Sequence, residues 1–209
     1  PAAPEGYAPD KAGSSAIISA ALASGRTLLN EVEAKTILAK YGIETVPTRV
    51  AETPEIAAQA AGELLAKYKS IALKILSPDI SHKSDVGGVH LDIATAAEAR
   101  AAAETMIEKV KRIAPGARVA GFTVQPMIKK PRAHELIAGM SVDPTFGPLI
   151  TFGSGGTAVE VIRDTAQALP PLDLGLAMDL IKQTRISRLL SGYRDRPAAD
   201  MQAIALALV

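Results

Sequence analysis

The chain has 209 residues and a formal net charge of +1, set by 23 Lys and Arg against 22 Asp and Glu. Such a balance excludes a general field that would draw nucleic acid or an anionic membrane surface, and three Phe, four Tyr and no Trp leave little for base stacking. The absence of cysteine excludes a disulfide framework, a thiolate metal site and a cysteine nucleophile, and is compatible with a reducing, cytoplasmic setting. No apolar run approaches the ~20 residues that a membrane helix needs.

Residues 1–13 are rich in Pro, Ala and Gly, as linkers are, and we assign 1–25 to a linker from an upstream domain and 26–209 to one α+β domain. The first residue is proline, and Ala203 to Val209 stops inside an apolar helical pattern. Both ends therefore read as cut from a longer protein. Asn30 with Glu33 forms a capping box for a helix through Ile37, Leu38 and Tyr41, which Gly42 ends. Thr45 to Val50 reads as a strand. Thr53-Pro54 opens a helix whose apolar side is Ile56, Ala57, Ala60, Ala61, Leu64 and Leu65. In the strand from Ile71 to Leu76, Ile71, Leu73 and Ile75 share one face and Lys74 points the other way. Val89, Leu91 and Ile93 alternate as the next strand. Thr95 and Glu98 cap a long helix with Ala99, Ala103, Met106, Ile107 and Val110 toward the core, and Pro115-Gly116 breaks it. Four strands are predicted next, over 118–124, 134–140, 149–152 and 157–162. Leu169 to Leu172 is a loop; helices cover Gly175 to Lys182 and Ala198 onward, with a turn around Arg188 to Ser191. Alternating helix and strand, then strands, then helices, suggests an α+β lobe joined to a mainly antiparallel sheet.

The segment Lys74 to Val89 carries the most chemistry. Lys74 lies near the end of an apolar strand, immediately before a polar loop with His82, Lys83, Ser84 and Asp85. It is either a solvent-facing strand lysine or an ammonium reaching phosphate oxygens. His82 has little apolar sequence around it; it is either a surface histidine or an imidazole nucleophile that accepts and passes on a phosphoryl group. Gly87-Gly88 permits close approach of phosphate to backbone N–H groups, or a bulge before the strand. Gly153-Ser154-Gly155-Gly156 offers the same choice, and neither is a Walker loop. Pro126 is expected to free its strand from regular pairing, leaving backbone groups beside Gln125 and Met127 for an adenine edge. Glu135 is either edge-exposed or bonded to something such as a ribose hydroxyl. Glu160 and Asp164 are read as pairing with Arg163 or other cations. His90 and His134 receive no role.

Together these segments resemble the ATP-grasp domain of NDP-forming acyl-CoA synthetases, the beta-subunit-like part of that family. The resemblance runs from about Leu28 to the C-terminus. It rests on Glu33-Ala34-Lys35 with Tyr41-Gly42-Ile43, on Lys74 to Val89, on Val124-Gln125-Pro126-Met127, on Asp143 to Pro148 and on Phe152 to Glu160. The wording of His134 to Ile137 and Leu169 to Leu172 resembles large bacterial versions, some of which also carry a GNAT acetyltransferase domain. The resemblance implies an ATP-grasp fold of two α/β lobes, incomplete at its C-terminus, with ATP or ADP between them. Lys74 would hold phosphate with Lys83, Ser84, Asp85, Gly87 and Gly88; Gln125, Pro126 and Met127 would lie beside adenine, and Glu135 near ribose. His82 matches the histidine that carries phosphate on a mobile loop. The reaction implied is acid + CoA + ATP giving acyl-CoA + ADP + phosphate through phosphohistidine. Partners implied are CoA-binding and CoA-ligase domains or an alpha subunit, with no nucleic acid and no membrane. Magnesium ligands are expected beyond Val209, so these 209 residues alone are expected not to catalyse the full reaction. The alternative function is a regulatory nucleotide-sensing or scaffolding module of a multidomain lysine acetyltransferase.

Overall fold

The computed structural model describes residues 6–80, 82–156 and 159–209, without the side chain of Glu160. Residues Pro9–Lys129 form one compact unit, and Lys130–Val209 belong to a second.

In the first unit, α1 (Lys11–Ala23) lies within the span expected to be linker. Its alanine-rich run starts at Asp10, whose carboxylate accepts from Gly13 N–H, and Lys40 ties Asp10 back to the next helix. That next helix, α2 (Glu31–Lys40), has the expected capping box: Asn30 Oδ1 accepts from Val32 and Glu33 N–H, and Glu33 accepts the Asn30 N–H at 2.8 Å. Only the end of the predicted 45–50 strand is extended, as β1 (Arg49–Ala51). Pro47 has no N–H to give to a ladder, and Thr48 turns its hydroxyl toward α2. There follow α3 (Pro54–Leu65), β2 (Ile71–Leu76), a 3-10 turn over Lys83–Val86, β3 (Val89–Ile93), α4 (Ala96–Ile113) and β4 (Gly121–Pro126). Strand β4 starts three residues later than predicted because the Arg118 N–H and guanidinium are bound to Asp79.

The first sheet has the order β1-β4-β2-β3, antiparallel throughout. One face carries Ile71, Leu73, Ile75, Phe122 and Val124, all fully buried with Ala57, Ala61, Ala103 and Met106 of α3 and α4. The pairings Ala72↔Gln125 and Lys74↔Thr123 place those four side chains on the other face, because successive residues alternate sides.

The second unit contains β5 (Leu136–Asp143), β6 (Gly147–Ser154), the single-turn helix α5 (Val159–Ile162), β7 (Thr165–Ala168), α6 (Leu174–Lys182), α7 (Ile186–Leu190) and α8 (Met201–Leu206). Its sheet is the antiparallel meander β5-β6-β7. The strand predicted over 157–162 is corrected: Val159–Ile162 is helical, and Thr157 and Ala158 lie outside the described residues. Strand β7 escaped prediction because Thr-Ala-Gln-Ala offers no large apolar alternation. Helix α8 begins at 201 rather than 198 because Asp200 is its cap. Phe152, Leu180, Ile181 and Leu190 centre a second core. Among the described residues no helix is long and apolar enough to cross a membrane.

Candidate functional site

The face of the first sheet opposite α3 and α4 holds a connected polar cluster against α2. Lys74 Nζ lies 3.3 Å from Glu31 Oε1, and the same oxygen takes Lys35 Nζ at 3.0 Å. Lys35 Nζ also donates to Thr48 Oγ1 at 2.8 Å and to Gln125 Oε1 at 2.5 Å. Burial pushes the Glu31 carboxyl up, but the Lys35 hydrogen bond and the Lys74 and Lys35 charges outweigh it and hold it below the ordinary value. Two ammonium groups thus share one carboxylate, leaving a surplus positive charge on a half-buried face. Lys74 spends one N–H on Glu31, so its other donors remain for an anion. Thr123, directly opposite Lys74 in the ladder, is fully buried with a hydroxyl that has no partner among the described residues.

Between β2 and β3 the chain is fastened at both ends and projects in the middle. Asp79 grips the Arg118 guanidinium at 2.7 and 2.9 Å and its N–H at 2.8 Å, and Ile80 is buried. Val86 packs against the first core, and Lys109 of α4 lies over Gly87. His82, Ser84 and Asp85 are exposed and Lys83 is half-buried. Ser81 lies outside the described residues. An exposed imidazole between two anchors can be presented to a ligand without unfolding either strand.

Two sequence expectations change here. Gly88 N–H donates to Lys83 C=O at 2.7 Å and Gly87 N–H to Ser84 C=O at 3.1 Å, so in this conformation neither is free for phosphate. Gly88 is instead a close-packing residue: a Cβ there would stand 2.6 Å from Ile75 Cγ2. Pro126 does not release its strand, since it pairs with Ile71 at the end of β4, and Met127 N–H donates to Ser70 C=O at 2.9 Å. The Met127 N–H is therefore occupied rather than open to an adenine edge.

In the second unit Glu135 is exposed; its C=O accepts from Gly155 N–H at 2.7 Å and its carboxylate lies against Gly156, where a Cβ would stand 2.7 Å from Oε2. The glycine-rich turn thus packs on Glu135. Asp164 is buried and accepts the Arg185 and Ile186 N–H groups at 2.7 Å each, a structural cap for α7 with Arg185 beside it. Glu160, its expected companion, has its side chain outside the description. A cavity of about 490 Å³ in this unit is lined by residues from Met178 to Met201, none of which the sequence reading assigned. His90 and His134 are half-buried and acquire no role.

Among the described residues no group of three or more His, Asp or Glu is placed to hold a metal ion, and Glu31 is already taken by two ammonium groups.

A family model described as an ATP-grasp domain matches residues 20–209. The chain belongs to that family. Within it the chain is of the kind found in ADP-forming acetate–CoA ligases. It is 36% identical over 189 residues to acetate–CoA ligase (ADP-forming) I subunit beta of Pyrococcus furiosus, covering 90% of this chain and 79% of the relative. Acetate–CoA ligase (ADP-forming) I of Archaeoglobus fulgidus is also 36% identical over 189 residues, covering 90% of this chain but 27% of the relative. Among solved structures, the dinucleotide-forming acetyl-coenzyme A synthetase 1 of Ca. Korarchaeum cryptofilum, in complex with coenzyme A, Ca-AMPCP and HgCl+, superposes with a TM-score of 0.83 at 38% identity, covering 93% of this chain and 83% of that one. A second structure of that enzyme, with coenzyme A and Mg-AMPPCP and its phosphohistidine segment pointing towards the nucleotide-binding site, gives 0.75 at 34% identity, covering 93% and 82%. The α+β ATP-grasp fold expected from the sequence is thereby established.

Sequence reasoning named Lys74, His82 and Gln125 but gave no role to Glu31, Lys35 or Thr123. The spacing of Glu31 and Lys35, four apart on a capped helix, was the available signal.

Proposed function

We propose that this ATP-grasp domain binds ATP or ADP over the Lys74 face and exchanges a phosphoryl group with His82, as the nucleotide-binding part of an ADP-forming acyl-CoA ligase. The observation that carries this is the surplus ammonium of Lys74, held by Glu31 on the sheet face opposite α3 and α4, beside the strand end from which the anchored His82 loop departs. A neutral imidazole nitrogen attacks the γ-phosphorus, the bond to the bridging oxygen breaks, and ADP leaves with that electron pair. Lys74 offsets charge on the phosphate oxygens; the loop anchors at Asp79 and Val86 let His82 approach without disturbing β2. When bound, magnesium would supply further neutralisation of the phosphates. The phosphohistidine then gives its phosphoryl group onward in the reaction acid + CoA + ATP = acyl-CoA + ADP + phosphate, which needs a CoA-binding domain or alpha subunit. The relatives' names and the phosphohistidine segment of the Korarchaeum enzyme support this reading. A cytoplasmic setting, the large bacterial type and a fused GNAT domain belong to the same proposal, the last two on the wording of residues 134–137 and 169–172.

The experiment is labelling of the intact protein with γ-labelled ATP. Acid-labile label is expected on His82 and lost in His82→Ala, with Lys74→Ala binding nucleotide at least about tenfold more weakly, about 1.4 kcal/mol. Undiminished label in His82→Ala, or equal affinity for Lys74→Ala and the unmutated protein, refutes the corresponding assignment.

A further inference from the structure

On the same face of the first sheet, Gln125, Thr123 and Lys74 each keep a group able to donate a hydrogen bond. Lys35 is an ammonium and has no lone pair, so the Gln125 atom 2.5 Å from it must be the amide oxygen. That fixes the amide: its oxygen is committed, and its NH2 is the only group Gln125 can offer a ligand. Lys35 itself has nothing left, since Glu31, Thr48 and Gln125 take its three N–H groups. Beside Gln125 on the same face of β4, Thr123 keeps a hydroxyl that has no hydrogen-bond partner among the described residues although it is fully buried. Opposite Thr123 lies Lys74 with donors to spare. Leaving a buried hydroxyl unsatisfied is costly, and folding alone gives no reason to keep it.

We propose that Thr123 is a ligand-contacting residue of the nucleotide site and Lys35 a positioning residue that acts through Gln125. The Gln125 NH2, the Thr123 hydroxyl and the Lys74 ammonium form a row of groups that can each donate to one acceptor-rich ligand. This rests on the nucleotide reading above and adds to it: the row selects lone pairs along the nucleotide, and Lys35 sets the polarity of one end.

Thr123→Val is close in shape and removes only the hydroxyl, so packing and binding predict different signs. If the hydroxyl serves the ligand, Thr123→Val keeps or raises the melting temperature without nucleotide, because an orphaned polar atom is gone, while ATP and ADP affinities measured by calorimetry on the full chain fall about fivefold, the range of one hydrogen bond. Thr123→Ser restores affinity to within about twofold. Lys35→Met keeps the aliphatic stem but frees the Gln125 amide to flip; ADP affinity falls about fivefold, and Gln125→Met in that background adds little further loss. Thr123→Val binding ATP and ADP as the unmutated protein does overturns the assignment of Thr123. Independent, additive losses for Lys35→Met and Gln125→Met overturn the positioning role of Lys35. Lys74→Ala separates this inference from its basis: weak binding there with a silent Thr123→Val removes only the inference, whereas silence in both removes the nucleotide reading as well.

Discussion

Asp79 shows how a single exposed carboxylate can organise the loop that presents His82. The Arg118 guanidinium bonded to it, seconded by the Arg118 N–H, holds its carboxyl down to about 2. A depressed value means that the ionised form is favoured by folding. The contribution is therefore present above the unfolded value of about 3.9 and disappears as pH falls through about 2. Glu31 follows the same sign: its carboxyl is lowered against the opposing effect of burial, so its link to Lys74 also weakens on acidification. For Asp79 the expected result is a carboxyl titration by NMR with a midpoint near 2, returning to roughly 4 in Arg118→Ala, with faster amide exchange at Ile80 in that variant. A midpoint near 4 in the unmutated protein would show that the clamp does not persist in solution.

Helix α2 matters because two of its residues, one turn apart, reach the sheet. Glu31 is its first residue, and Lys35 follows on the same side. Their register depends on where the helix starts, and Asn30 sets that start by satisfying two N–H groups. We expect Asn30→Ala to lower unfolding free energy by about 1 kcal/mol in urea titrations and Asn30→Asp to keep most of it; an unshifted midpoint for Asn30→Ala would mean that Glu33 and Arg26 hold the helix start alone. Local devices of this kind were legible in the sequence: the Asn30, Thr53 and Thr95 caps each mark an observed helix start, and the 74–89 string lies in one continuous stretch. What was not legible depends on partners distant in the chain. Lys35 meets Gln125 across 90 positions and Lys74 meets Glu31 across 43. Thr123 reads as an ordinary β-former until its neighbours are known. The same reason hid β7, whose strand character comes from pairing with β6 and not from its own four residues.

At the scale of the whole molecule, apolar burial among the described residues divides into two clusters that share no residue, one around Phe122 and one around Phe152. The first backs the Lys74 face through β2 and β4; the second supports the meander of the unit to which Glu135 belongs. Removing a fully buried phenylalanine side chain costs roughly 3–5 kcal/mol through lost transfer energy and the cavity left behind, and that loss falls first on the cluster containing it. Hydrogen exchange reads this directly, because protection reports opening of cooperative units rather than only global unfolding. In Phe152→Ala the amides of β6 and α6 should exchange far faster while those of β2 and β4 keep their protection, so that binding of a phosphate-rich ligand at Lys74 survives in weakened form. In Phe122→Ala the pattern should invert, with β2 and β4 exposed and the Lys74 site lost. Uniform loss of protection through both sheets in either variant would mean that the clusters melt as one, and that the Lys74 face owes its rigidity to the entire chain rather than to α3, α4 and the four strands in front of them.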